Sequence, residues 1–261
     1  MLRRQAGGGG GERYRALARS RCDRIPQPVV RVDRRLTSEV DMYFDLPGHG
    51  QTPAGEVASA EDVVLAVEAE VRERVGDEPF AVLGNSFGGM IARRVAHDFR
   101  LQALGLALIA PVFVSNKSHR AVPERTVLSS DASVLRELGD VAPQYADMAV
   151  MHTNDKAQAF LEHAHPGLAA ADQDALNRIS ERYALSAEPE TLSPEPFTQP
   201  SLFFTGRQDH VVGCEDAWAT IEHYPRATFV TLDTAGHNVH LDRSGVVLTL
   251  IGDWLVRMAA S

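Results

Sequence analysis

Phe80-Ala81-Val82-Leu83-Gly84-Asn85-Ser86-Phe87-Gly88-Gly89-Met90-Ile91-Ala92 is the stretch on which the fold of this chain turns. Its first four residues are a short apolar run of the kind that forms a buried strand, and a helical pattern opens at Gly88 and runs to Phe99. A serine placed at so sharp a strand-to-helix turn is held in a strained backbone conformation. Its neighbours two positions away must be small to clear the crossing main chain. Gly84 and Gly88 meet that demand, and Gly89 and Ala92 let the helix approach the sheet closely. The turn lifts the Ser86 hydroxyl above the sheet edge and aims a helix N-terminus at it, so the Phe87 N–H can donate to a developing oxyanion.

Working outward, Val40-Asp41-Met42-Tyr43-Phe44-Asp45-Leu46 reads as a strand and Pro47-Gly48-His49-Gly50 as the turn that ends it. Ser59-Ala60-Glu61-Asp62 resembles a capping box, and Val63, Val64, Val67, Val71 and Val75 follow at helical spacing. Residues 103–109 are wholly apolar. Strands of that kind suit a parallel sheet covered on both faces, so the alternation predicts an α/β, doubly wound domain. The pattern breaks over 112–197, where helical segments such as 155–164 and 170–182 occur and no clear strand does. It returns with a strand at 201–204, a helix around 215–223, a strand at 227–232 and a closing helix near 245–258. The expected organisation is a basic, poorly ordered N-terminal segment over 1–39, an α/β core over 40–111 and 198–261, and a helical cap over 112–197.

A serine hydroxyl is a weak nucleophile until a base takes its proton, and the base needs an acid to orient it. The strand at 201–204 runs into Thr205-Gly206-Arg207-Gln208-Asp209, and the strand at 227–232 into Asp233-Thr234-Ala235-Gly236-His237. Both loops lie at the carboxyl ends of strands, on the sheet edge that carries Ser86. This makes Asp209 the candidate acid and His237 the candidate base. Asp233 is the nearest rival acid, but it lies too close to its own strand end and to His237 to reach across. His240 is the nearest rival base, further along where a packing role is expected. Asp45 and His49 read as turn residues. His163 and His165 lack a further ligand set with metal-site spacing, so no metal is expected. Neither a G-x-G-x-x-G nor a P-loop occurs, so no nucleotide cofactor is implied.

Composition bounds the rest. The chain has 261 residues, 44% of them apolar, a net charge of −9 and two cysteines, Cys22 and Cys214, too far apart in sequence to suggest a disulfide framework. Residues 1–35 carry ten arginines against Glu12, Asp23 and Asp33, a local charge of +7; the difference from −9 leaves −16 for the remainder. An acidic body argues against nucleic acid as a partner. No apolar run approaches the ~20 residues of a membrane span, and no apolar stretch follows the basic N-terminus as in a secretory signal. A cytoplasmic protein acting on a small molecule is expected, with its oligomeric state left open.

At these residues the sequence resembles the α/β-hydrolase superfamily, of the kind with a helical cap. The matching elements are Asp45-Leu46-Pro47-Gly48-His49-Gly50, Gly84-Asn85-Ser86-Phe87-Gly88-Gly89, Gly206-Arg207-Gln208-Asp209 and Ala235-Gly236-His237. The resemblance implies a serine hydrolase with Ser86 as nucleophile, Asp209 and His237 as its partners, Phe87 in the oxyanion hole and no cofactor. It would act on a small carboxylic ester or a related C–C or C–O bond. The Gly-Asn-Ser-Phe-Gly-Gly form is similar to that of the meta-cleavage product hydrolases, which cut C–C bonds in dienoate products of aromatic ring cleavage. Two features depart from that subclass: Asn238 stands where those enzymes usually carry Trp, and no cap arginine is assignable to a substrate carboxylate. Esterases, lactonases and perhydrolase-like members share the same triad. Serine rather than aspartate at the elbow argues against epoxide hydrolase and dehalogenase chemistry.

The family also begins with further strands and a His-Gly motif that supplies a second oxyanion donor. No such motif precedes Asp45, and strand patterning is not recognised before Val40. The readings left open are a substitute loop formed by the glycines at 7–11, a truncated member or corrupted gene start, and a basic tail for an acidic partner. The alternative to an enzyme is accordingly a catalytically impaired or non-catalytic binding protein lacking a complete oxyanion hole.

Overall fold

The fold is built on four apolar strands that run side by side. The computed structural model describes residues 29–32 and 40–260. In chain order the first elements are β1 (Val29–Val32), β2 (Val40–Tyr43), α1 (Ala60–Arg74), β3 (Phe80–Asn85), α2 (Phe87–Asp98) and β4 (Ala103–Ile109). A helical stretch follows: β5 (Ser129–Ser130), α3 (Ala132–Glu137), α4 (Ala142–Met148), β6 (Met151–His152), α5 (Asn154–His163), α6 (His165–Ala169), α7 (Gln173–Glu181) and α8 (Pro189–Leu192). Then come β7 (Ser201–Gly206), α9 (Glu215–Ala219), β8 (Ala227–Leu232), α10 (Val239–Asp242) and α11 (Ser244–Ala259). The sheet order is β2-β1-β3-β4-β7-β8, with β3, β4, β7 and β8 mutually parallel.

The apolar runs account for that core. Every residue of β7 is buried, as are all but one of β4, because helices cover the sheet: α2 packs on β3 and β4, and α11 on β4 and β7. The Trp254 indole N–H, buried on α11, donates to Pro200 O at 2.8 Å and ties the last helix to the start of β7. At the start of α1 the Ser59 hydroxyl accepts the Asp62 N–H at 3.1 Å, as a capping box requires, while Asp62 reaches back to the Ala58 N–H at 3.0 Å, one residue before the cap.

Two expectations require correction. Strand patterning was not recognised ahead of Val40, yet β1 lies there, antiparallel to both β2 and β3 with Val29 opposite Leu83. Valine at three of four positions is a strong but very short β signal, easily hidden in an Arg- and Gly-rich setting. The remaining residues of the 1–39 segment, including the glycines at 7–11, lie outside the described residues. The stretch over 112–197 is helical, but it also holds β5 and β6, two residues each, paired in parallel. Val134, Tyr145, Ala157 and Phe160 form a small apolar cluster of its own there.

A second buried assembly fastens this stretch to the core. Arg93 on α2 is fully buried, stacks 4.1 Å over the Phe113 ring, and pairs with Glu188 and with Glu190 on α8. Tyr224 donates to Glu190 Oε1 at 2.5 Å. His97 Nδ1–H donates to Arg93 O at 2.8 Å, which leaves its Nε2 to accept from His223 Nε2–H at 3.0 Å. No helix among the described residues is long and apolar enough to cross a membrane.

Candidate active site

The turn after β3 has the geometry its glycines require. Ser86 caps α2 with φ +52° and ψ −118°, a left-handed conformation that costs a non-glycine residue about 1–3 kcal/mol. The turn is held by the Ser86 N–H on Ile109 O at 2.9 Å and by the Val112 N–H on Ser86 O at 3.1 Å. A Cβ at Gly84 would stand 2.2 Å from Gly88 O and 2.7 Å from the Ala92 Cβ, so no larger residue fits. Unlike α1, which carries Glu61 and Asp62 in its first turn, α2 has no acid and no side-chain cap there. The partial positive charge of its N-terminus therefore meets Ser86 uncompensated.

The loops after β7 and β8 bring the other two residues to this point. His237 Nε2 lies 2.8 Å from Ser86 Oγ, and His237 Nδ1 lies 3.0 Å from Asp209 Oδ2. A carboxylate only accepts, so Nδ1 carries the proton and Nε2 is left to receive that of Ser86. The other Asp209 oxygen accepts the Val211 and Val212 N–H groups at 2.8 and 3.0 Å. Burial pushes the Asp209 carboxyl up, but the His237 charge and these bonds outweigh it and hold Asp209 below its ordinary value. Ser86 and Phe87 are half-buried, while His237 and Asp209 are buried.

The rivals are occupied elsewhere. Asp233 accepts from Gln208 Nε2 at 2.8 Å on the exposed side of the loop. His240 is buried, and burial together with the charges of His237 and His163 pushes it down to about 4, so it stays neutral. Asp45 accepts the Gln51 N–H at 3.0 Å within its turn, and His49 Nδ1 donates to Pro47 O at 3.2 Å. His165 pairs with Gln144 at 3.2 Å.

The supporting roles of several residues were not legible in the sequence, although Gly206, Gln208 and Gly236 stand in the matched motifs. A Cβ at Gly206 would meet Gly236 O at 2.3 Å, so this glycine lets the His237 loop cross the Asp209 loop. Gln208 stitches the two loops together by also accepting the Ala235 N–H at 3.2 Å through its side-chain oxygen. Asp242 Oδ2 accepts the Gly236 N–H at 2.9 Å. From the helical stretch, Tyr183 stacks on Phe87 with ring centroids 5.0 Å apart, and burial pushes its hydroxyl up to about 12. Met148 Sδ accepts from Asn238 Nδ2 at 3.9 Å.

A model of the alpha/beta hydrolase family matches residues 7–249. The chain belongs to that family. Among curated relatives, 90 residues are 38% identical to the "Biotin biosynthesis bifunctional protein BioHC" of Cellvibrio japonicus, covering 34% of this chain and 16% of that protein. The matched segment is thus a small part of that relative's length. Among solved structures, an alpha/beta superfamily hydrolase from Oenococcus oeni PSU-1 superposes with a TM-score of 0.79 at 23% identity, over 87% of this chain and 85% of that one. A thermophilic esterase from Thermogutta terrifontis gives 0.59 at 19% identity, over 84% and 80%. At such identities the likeness establishes the alpha/beta hydrolase fold.

Proposed function

We propose that this alpha/beta hydrolase is a serine hydrolase that cleaves a small carboxylic ester, or a related C–O or C–C bond, through Ser86, His237 and Asp209. The observation that carries the reading is the unbroken line from Asp209 through His237 to a half-exposed Ser86 at a strained elbow. In the first half-reaction His237 Nε2 takes the Ser86 proton as Oγ attacks the substrate carbonyl carbon. The oxyanion forms at the N-terminus of α2, against the Phe87 N–H. The tetrahedral centre collapses, the leaving oxygen takes the proton from His237, and an acyl-Ser86 remains. Water, deprotonated by the same nitrogen, then releases the acid. For a C–C substrate the leaving group is carbon and accepts that proton instead. Asp209 keeps His237 in the working tautomer and stabilises its cation. The segment 112–197 serves as the cap, with Tyr183 over Phe87 and Met148 beside Asn238 shaping access.

The test is labelling with a fluorophosphonate probe beside Ser86→Ala. Labelling of the wild type that the substitution abolishes is the expected result. A folded wild type that takes up no probe overturns the enzyme reading in favour of a non-catalytic binding protein. Turnover of short acyl esters against that of a ring-cleavage dienoate then separates ester from C–C hydrolysis.

A further inference from the structure

The chain that carries His237 turns back on itself, and one carboxylate closes the turn. Asp242, the last residue of α10, reaches back to the Gly236 N–H at 2.9 Å, immediately before His237. Gly236 is enclosed on its other sides: a Cβ there would come within 2.7 Å of Val150 Cγ2 and 2.9 Å of Met148 O. The Gly236 carbonyl in turn faces Gly206. Packing thus confines where Gly236 sits, while the bond to Asp242 sets how its peptide is oriented. α10 is anchored from the helical stretch as well, since Lys156 on α5 donates to Asp242 O at 2.9 Å and to Leu241 O at 3.4 Å.

Asp242 is buried, which is costly for a carboxylate unless its bonds compensate. Resting on the serine-hydrolase reading above, we propose that Asp242 is a positioning residue: its carboxylate fixes the Gly236 amide, and with it the His237 imidazole on the line between Asp209 and Ser86. Asp242 acts through the Gly236 amide, and among the described residues no hydrogen bond joins it to Ser86. A carboxylate is a stronger acceptor than the protonated acid, so the hold weakens as Asp242 takes a proton. Burial pushes this carboxyl up to about 6; the Gly236 N–H and Lys156 pull it down and Asp209 pushes it up. Tyr145 on α4 also senses its charge, and on its own segment His237 and His240 precede it and Arg243 follows it.

The experiment compares Asp242→Ala and Asp242→Asn with the wild type, using p-nitrophenyl acetate as substrate. Asp242→Ala lowers kcat about 10- to 100-fold with KM little changed, the size of effect expected from misplacing a catalytic group. Asp242→Asn keeps an acceptor oxygen but not the charge, and at pH 8 recovers only part of the kcat lost in Asp242→Ala. Below pH 6 the wild-type log kcat falls more steeply than one proton requires, and that of Asp242→Asn falls with a slope of one. A folded Asp242→Ala with unchanged kcat overturns the proposal, as do superimposable pH profiles for wild type and Asp242→Asn; the profiles decide if Asp242→Ala does not fold. The low-field proton resonance of the His237–Asp209 bond gives a reading without turnover. Its loss in Asp242→Ala supports positioning and its persistence opposes it, even if absent Ser86-dependent labelling overturns the serine-hydrolase reading.

Discussion

The molecule holds two buried polar assemblies on opposite ends of α2, and they differ in how they end. Around Arg93, every polar group closes on another: Glu188 and Glu190 meet the guanidinium, Tyr224 donates to Glu190, and His97 meets His223. Around His237 the line stays open, because its last acceptor faces the half-exposed Ser86. Both contain buried histidine and carboxylate groups, so perturbed titration alone does not mark a site. What separates them is a half-exposed serine hydroxyl at the end of the chain of bonds, set beside a helix N-terminus. The two nearby carboxylates make the same point. Asp209 is held below its ordinary value and favours folding when charged, a contribution lost as pH falls through its lowered value. Asp242 is pushed up to about 6, so its ionisation opposes folding as pH rises through about 4 to 6.

The largest expected effect is at the open assembly. Asp209→Asn should lower kcat for a short acyl ester by about 10⁴-fold while leaving the melting transition cooperative, because the wrong imidazole tautomer then faces Ser86. Steady-state kinetics beside a thermal melt measure both. At the closed assembly, Arg93→Met leaves the half-buried Glu190 without its cation. It should cost about 3–5 kcal/mol in a urea titration, with the fluorophosphonate labelling rate per folded molecule unchanged. A loss of labelling in the folded fraction would show that the two assemblies are not separate. A smaller effect is expected for Tyr183→Leu, which removes the stack on Phe87 and should reduce kcat/KM several-fold, equivalent to roughly 1 kcal/mol. The smallest effect concerns pH. Burial lowers the pKa of both His97 and His223, so each is held neutral, and its contribution is present above the unfolded value of 6.5 and lost as pH falls. The melting temperature of His97→Gln should therefore drop less than that of the wild type between pH 8 and pH 5; equal drops would place the acid sensitivity elsewhere.

Much of this was legible in the sequence for a local reason. The elbow needs small residues at fixed offsets from Ser86, and Asp209 and His237 each follow an apolar strand by a few residues, so sheet geometry brings them to one edge. The parallel core announced itself through strands with no polar face. What stayed hidden depends on chain crossings. Gly206 stands in a matched motif, but the reason it must be glycine shows only when Gly236 is found against it. Asp242 drew no reading, because nothing in its neighbours says that the segment after His237 folds back to the Gly236 N–H. β1 was missed because four residues are too few to outweigh the composition around them.

Among the described residues, the three non-glycine positions with positive φ are Ser86, Ala110 and Thr234. They follow β3, β4 and β8, so all lie at the carboxyl edge of the sheet. The edge that carries the proposed triad is thus also the edge least at ease with its own backbone, and the apolar layers beneath it must hold all three residues out of their preferred basins. That ties mutational tolerance to distance from this edge: changes that loosen β4 or β7 act on an already tensioned rim and should erode reactivity before they unfold the sheet.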